Sequence, residues 1–159
     1  MIKVTIISMG RLKEKFFCAA QEEYAKRLSS YCNLEIIEIP PENLPESPSK
    51  SLVEAALLKE AEKIEKRMPK SCLRIALCVE GKRFTSEALA EKIENAVDRG
   101  NPICFIIGSS YGLHSSVKEK SDLKMSLSDM TFPHRLFRIM LLEQIYRSFK
   151  INEGGTYHK

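Results

Sequence analysis

Two hydrophobic periods alternate along this chain, and the switches between them outline its elements. Ile2–Ser8 is a β-branched apolar run that predicts a strand. From about Lys13 to Tyr31, the residues Phe16, Phe17, Ala20, Tyr24 and Leu28 recur at helical spacing. Leu34–Ile39 alternates like a strand and stops at Pro40-Pro41. The stretch from Pro40 to Ser49 carries four of the seven prolines and reads as a loop. Ser51 followed by Glu54 has the form of a capping box, opening a helix that runs to about Arg67 before Pro69. Leu73–Val79 is a buried-looking strand with a turn after Gly81, and a helix from about Ser86 to Arg99 closes at Gly100-Asn101-Pro102. Ile103–Ile107 is another apolar strand, followed by Gly108-Ser109-Ser110-Tyr111-Gly112. A short helical piece, a weaker strand near Leu123–Leu127 and a helix from Pro133 to about Phe149 complete the order.

That β-α-β-α alternation predicts an α/β sheet, largely parallel, with helices on both faces. The 159 residues suit one domain, and no repeat, low-complexity tract or linker divides them. In open α/β sheets, ligands gather beyond the carboxyl ends of the strands. Three such ends stand out: Leu77 to Gly81, Gly108 to Gly112, and Leu127 to Phe132. Glycines and small hydroxyl residues there let backbone approach a ligand and offer N–H donors, although any strand-to-helix turn needs such residues too.

Composition narrows the class. With 43% hydrophobic and 29% charged residues the chain reads as soluble and globular. Its net charge of +4 is uneven, because residues 133–159 hold five Lys/Arg against two acids. That end is either a polyanion-facing surface or an ordinary solvated helix face. Five cysteines, odd in number and irregularly spaced, suggest neither a disulfide framework nor zinc ligands. The opening Met1-Ile2-Lys3-Val4 has no signal-peptide pattern, and no apolar run reaches membrane-spanning length. A reduced, cytoplasmic protein with no membrane segment and no metal is therefore expected.

Motifs exclude further classes. Gly108-x-x-x-Gly112 is not the dinucleotide fingerprint, and the chain has neither a Walker-type phosphate loop nor a G-x-S-x-G elbow. The final helix is more informative. Leu136, Phe137, Met140, Leu141, Ile145 and Phe149 give it a broad apolar surface, which fits deep burial or packing on a partner chain. His134 and Arg138 share a face, as do Glu143 and Arg147, with Tyr146 beside them. His134, Arg138 and Tyr146 either supply donors around an anionic or polar substrate or are structural.

One ordered set of short segments is more specific than any of them alone. It comprises Phe105-Ile106-Ile107-Gly108 with Gly112-Leu113, the run Ser126 to His134, Glu143-Gln144-Ile145-Tyr146-Arg147, and the ending Tyr157-His158-Lys159. The opening strand, Ile36-Ile37-Glu38-Ile39-Pro40 and Gly81-Lys82 fit as well. Over essentially its whole length the chain resembles the ribosomal RNA large subunit methyltransferase H family, enzymes of the SPOUT class.

The resemblance implies a single-domain SPOUT fold over residues 1–159, an α/β sheet whose C-terminal part threads a deep trefoil knot. Nothing in the periodicity points to a knot, which is rare among folds. It also implies an S-adenosylmethionine site at the three strand ends, with Leu77, Gly108, Leu127, Ser128, Asp129, Met130, Thr131 and Phe132 against the cofactor. The implied reaction is methyl transfer to N3 of a pseudouridine in helix 69 of 23S rRNA within assembled ribosomes, by a homodimer without a metal. His134 would contact the base or take its proton, Arg138 would stabilise charge developing on the ring, and Tyr157 and His158 would close over the site. One departure stands out: the family usually has a second glycine after Gly108, where this chain has Ser109-Ser110. A left-handed backbone at Ser109 would alter the site, whereas an ordinary one would tolerate serine. That departure is the one support for a catalytically silent ribosome- or RNA-binding module. A third reading, an unrelated α/β enzyme acting on a nucleotide or small molecule, lacks the phosphate-loop motifs it would need.

Overall fold

The computed structural model describes residues 1–155. Five strands, β1 (Ile2–Met9), β2 (Cys32–Ile39), β3 (Leu73–Arg83), β4 (Ile103–Ile107) and β5 (Leu123–Ser126), form one sheet in the order β2-β1-β4-β3-β5. Every pairing is parallel. The central strand β4 is buried at all five positions, as expected of an unbroken apolar run covered on both sides. The edge strand β2 mixes buried and exposed positions, with Lys3 of β1 paired to its Glu35 at 2.8 Å.

Helices cover both faces. On one, α1 (Lys15–Leu28), α3 (Ser86–Asp98) and α5 (His134–Asn152) pack over Val4, Ile6, Ile75, Phe105 and Ile107. On the other, α2 (Lys50–Arg67) and the short α4 (Ser115–Glu119) cover Ile7, Ala76, Cys104 and Ile106. Alternate residues of each strand thus feed opposite cores. The breadth of apolar surface on α5 follows from its place between α1 and α3, where Leu141, Leu142 and Ile145 are fully buried. Burial raises the thiol pKa of Cys32 to about 11 and of Cys104 to about 12, so both behave as small core hydrophobes. Among the described residues no helix is long and apolar enough to cross a membrane, and no group of metal-ligating side chains assembles.

Three local expectations need correction. The cap of α2 is Ser49, whose Oγ accepts from the Leu52 amide at 3.2 Å, two residues before the expected Ser51. Phe16 lies on α1 but is 67% exposed, its ring tilted against Phe17 instead of the core. β3 does not end before a turn at Gly81 but continues to Arg83. Both Leu77 and Lys82 align with Met125 across an irregularity in the ladder. Gly81 is needed there because a Cβ would sit 2.6 Å from the Met125 backbone carbon.

Candidate functional site

The strand ends singled out in the sequence converge. β3 aligns Leu77 with Ile107 of β4 and Met125 of β5. The segments that follow these three strands enclose a cavity of about 390 Å³. Leu77, Gly108, Ser128, Met130, Thr131 and Phe132 line it, as does His134. Leu127 and Asp129 lie away from the cavity: Leu127 packs against the α3–α5 core, and Asp129 pairs with Arg83 at 2.5 Å in solvent. Bends at Leu127, Asp129 and Met130 turn the segment, so Leu127 and Asp129 face away while Met130 to Phe132 run along the cavity wall. The segment is shaped by its own serines, with Ser126 Oγ donating to the Ser128 carbonyl and the Met130 amide donating to Ser128 Oγ, both at 3.0 Å.

The Gly108–Gly112 turn is set by backbone contact. A Cβ on Gly108 would lie 2.4 Å from the Gly112 carbonyl oxygen, and Gly112 itself sits at φ +87°. Ser109 lies between them with an ordinary backbone, for among the described residues no non-glycine takes a positive φ. The family's usual glycine at this position is therefore not required for the turn. Instead, Ser109 Oγ donates to Oε1 of the buried Glu60 at 2.8 Å, and Glu60 Oε2 accepts the Glu42 amide at 3.0 Å.

Apolar walls from Leu77, Ile107, Leu113 and Phe137 are joined by hydroxyls from Ser128 and Thr131 and by a charged pair, Glu80 and Lys118, at one rim. The Lys118 ammonium, through its hydrogen bond, holds the Glu80 carboxyl below the usual carboxylate range. A slot of this kind suits a group with an aromatic ring, a sugar and a zwitterionic tail.

His134 opens α5 directly after Pro133, and a Cβ on Gly10 would stand 3.9 Å from its Nε2. Partial burial lowers its pKa, reinforced by the positive charges of Arg135 and Arg138 and opposed by Glu14. The imidazole is accordingly neutral at neutral pH, with one nitrogen able to accept a proton.

Arg138 is placed differently from the expectation of a substrate-facing cation. It is 1% exposed, the largest fully buried side chain among the described residues. Its guanidinium donates to Glu38 at 2.8 Å, to Ser8 Oγ and the Gly10 carbonyl at 2.9 Å each, and to Gln21 at 3.1 Å. It therefore braces the end of β1 behind His134. Tyr146 lies three turns along α5, about 18 Å from His134, packed edge-on against Tyr31. The basic C-terminal end is also largely compensated, with Arg135 on Glu14, Arg147 on Glu143 and Lys150 on Glu153. Tyr157 and His158 fall outside the described residues.

A second cavity of about 360 Å³ lies beyond the carboxyl ends of β1 and β2. It shares Ser109, Ser110, Tyr111 and His134 with the first. No motif in the sequence marks it, since Gly10-Arg11-Leu12-Lys13 matches none. The available signal was that β1, too, ends in a glycine followed by cations.

The family of predicted SPOUT methyltransferases matches residues 2–158 of this chain. The chain belongs to the SPOUT methyltransferases. Within them it belongs to the ribosomal RNA large subunit methyltransferase H family. The protein of that name from Acetivibrio thermocellus is 43% identical over 159 residues, covering 99% of this chain and all of the relative. The one from Bifidobacterium adolescentis is 46% identical with the same coverage. Among solved structures, a methylase-family protein from Haemophilus influenzae aligns with TM-score 0.53 at 15% identity, over 99% of this chain and 70% of that one, a likeness of fold alone. The expected α/β SPOUT class and parallel sheet are thus borne out.

Proposed function

We propose that this chain is an S-adenosylmethionine-dependent methyltransferase of large-subunit rRNA, acting on N3 of a pseudouridine in helix 69 within assembled ribosomes. The observation that carries the reading is the convergence of the β3, β4 and β5 ends on one cleft bordered by a neutral histidine, in a SPOUT chain whose full-length relatives bear an rRNA methyltransferase name. The apolar slot with its hydroxyl and Glu80–Lys118 rim fits the cofactor's adenine, ribose and amino-acid parts. When bound, the cofactor supplies a methyl on a positively charged sulfur, which a deprotonated N3 takes as the carbon–sulfur pair returns to sulfur.

The chain's own task is alignment and proton handling. His134, held in the cavity wall by the helix start at Pro133, accepts the N3 proton or hydrogen-bonds the base. Arg138 positions it from behind by fixing the Gly10 end of β1. A homodimer, a cytoplasmic location, one domain over residues 1–159 and the trefoil threading belong to the same reading. The exposed apolar side chains of Phe16 and Met130 support the homodimer reading.

The test is transfer of labelled methyl from S-adenosylmethionine to ribosomes lacking the modification, with naked rRNA in parallel. Label mapped to a helix 69 pseudouridine is expected. Ribosome binding without label would favour the silent module, whose sequence support, the serine at 109, sits on an ordinary backbone.

A further inference from the structure

The second cavity has a composition that the cofactor cleft does not need. Its floor is apolar, from Met9, Leu44, Ala56 and Leu57, and its side is formed by the half-exposed ring of Tyr111. Arg11 and Lys13 stand at its mouth, exposed and in no ion pair among the described residues, unlike the neighbouring Arg135, which is held by Glu14. The two carboxylates in the lining are engaged, Glu42 by Lys63 and Glu60 by Ser109 Oγ and the Glu42 amide. A mostly apolar chamber with one aromatic wall and free cations at the entrance fits a planar base whose flanking phosphates stay outside. The wall it shares with the first cavity, from Ser109 to Tyr111 and His134, places any occupant next to a group bound in the first. The Ser109–Glu60 hydrogen bond ties that wall to α2, so the partition is built rather than left to a loose loop.

We infer that this cavity is the acceptor subsite: a pyrimidine-type base turned out of its RNA enters it, stacks on Tyr111, and has its flanking phosphates met by Arg11 and Lys13. The inference rests on the methyltransferase reading for what the subsite serves, but the base-binding claim stands by itself. An enzyme that alters a base must take it out of the stack, and a chamber beside the donor is the arrangement that step requires. Arg11 and Lys13 carry no base information; they set affinity and its salt dependence.

The test uses the full chain saturated with S-adenosylhomocysteine and the probe uridine 5′-monophosphate, followed by methyl NMR. Resonances of Met9, Leu44 and Leu57 are expected to shift on titration while those of Leu77 and Leu113 stay in place. Lys13→Ala should weaken the probe several-fold. No shift at Met9, Leu44 or Leu57 up to millimolar probe, or shifts confined to Leu77 and Leu113, would overturn the subsite. This readout needs no turnover, so failure of the methyltransferase reading would show separately as absent methyl transfer. Where turnover is present, Leu57→Trp should fill the chamber and lower kcat/KM on ribosomes at least about a hundredfold with cofactor affinity within about twofold. Wild-type turnover in that variant would refute the proposal. If Leu57→Trp does not fold, the surface variant Arg11→Ala with Lys13→Ala takes its place. It should raise KM and reduce the salt slope by about two, and an unchanged KM and slope would count against the phosphate contacts.

Discussion

Arg138 carries a positive charge into the protein interior and holds it there with four partners from β1, the turn after it, β2 and α1. Removing it would leave the Gly10 carbonyl without its side-chain donor and Glu38 with only the Leu12 amide, and Glu38, a third exposed, would recover only part of that loss from water. Arg138→Ala is expected to cost about 3 kcal/mol of unfolding free energy, read from denaturant midpoints. Replacement after Glu38→Gln should cost measurably less, because the two changes share one interaction. Equal costs in both backgrounds would mean that the pair is not coupled. The sequence placed His134 and Arg138 on one helix face, correctly, but spacing carries no information about which of the two that face buries. His134 supplies a second test. Its folded-state pKa lies below the ordinary 6.5, so between these two values the unfolded chain holds more protons. The stability this neutral histidine contributes is present in full above pH 6.5 and lost as pH falls through the folded value. His134→Gln should flatten the acid limb of stability against pH between those limits, and NMR titration of the imidazole should give a midpoint under 6.5. A midpoint above 6.5 would reverse the sign and remove the neutral acceptor.

At the level of elements, legibility tracked how local the controlling interaction is. The sheet order β2-β1-β4-β3-β5 is set by pairings between distant strands, whereas β1, β4 and α3 were readable because each is fixed by its own run of apolar residues. The end of β3 was not, since it depends on the backbone of β5 passing 2.6 Å from where a Gly81 Cβ would sit, a contact between residues more than forty positions apart. The cleft was legible in outline for the same reason that its strands were, whereas the second cavity is assembled from β1, the 40–44 loop, α2 and the start of α5, which no single motif spans. The start of α2 shows how narrow the margin is. Ser49 and Ser51 both offer a hydroxyl, their oxygens 3.1 Å apart, yet Ser49 is the one that accepts a free helix amide. Ser49→Ala should therefore cost about 1 kcal/mol, and Ser51→Ala only a few tenths. The reverse order in thermal unfolding would restore the capping box expected from Ser51 and Glu54.

At the scale of the whole molecule, the length of α5 decides where the C-terminal end can act. The helix carries 19 residues from His134 to Asn152, a span of about 28 Å. Its far end is tied to the start of β2 and to α3 on the same face, with Lys150 donating to the Tyr31 hydroxyl at 3.3 Å and Asn152 to the Ala90 carbonyl at 3.0 Å. From Gly155, whose amide donates to the Lys150 carbonyl, two further residues extend at most about 7 Å to Tyr157 and three about 10 Å to His158. That reach cannot return to the His134 of the same chain. If Tyr157 and His158 act in methyl transfer, as the family resemblance implies, they serve the site of a partner subunit, and each site of the proposed homodimer is shared. Mixed dimers test this directly. His134→Ala and a chain ending at Thr156 should each lose at least about a hundredfold in turnover as homodimers, with cofactor binding retained in the truncated one. A heterodimer of the two, isolated through different tags, contains one site with an intact His134 from one subunit and an intact ending from the other. It should recover about half of the wild-type rate. A heterodimer as inactive as its parents would confine both groups to one chain, and a fully active truncated homodimer would remove the ending from the chemistry altogether.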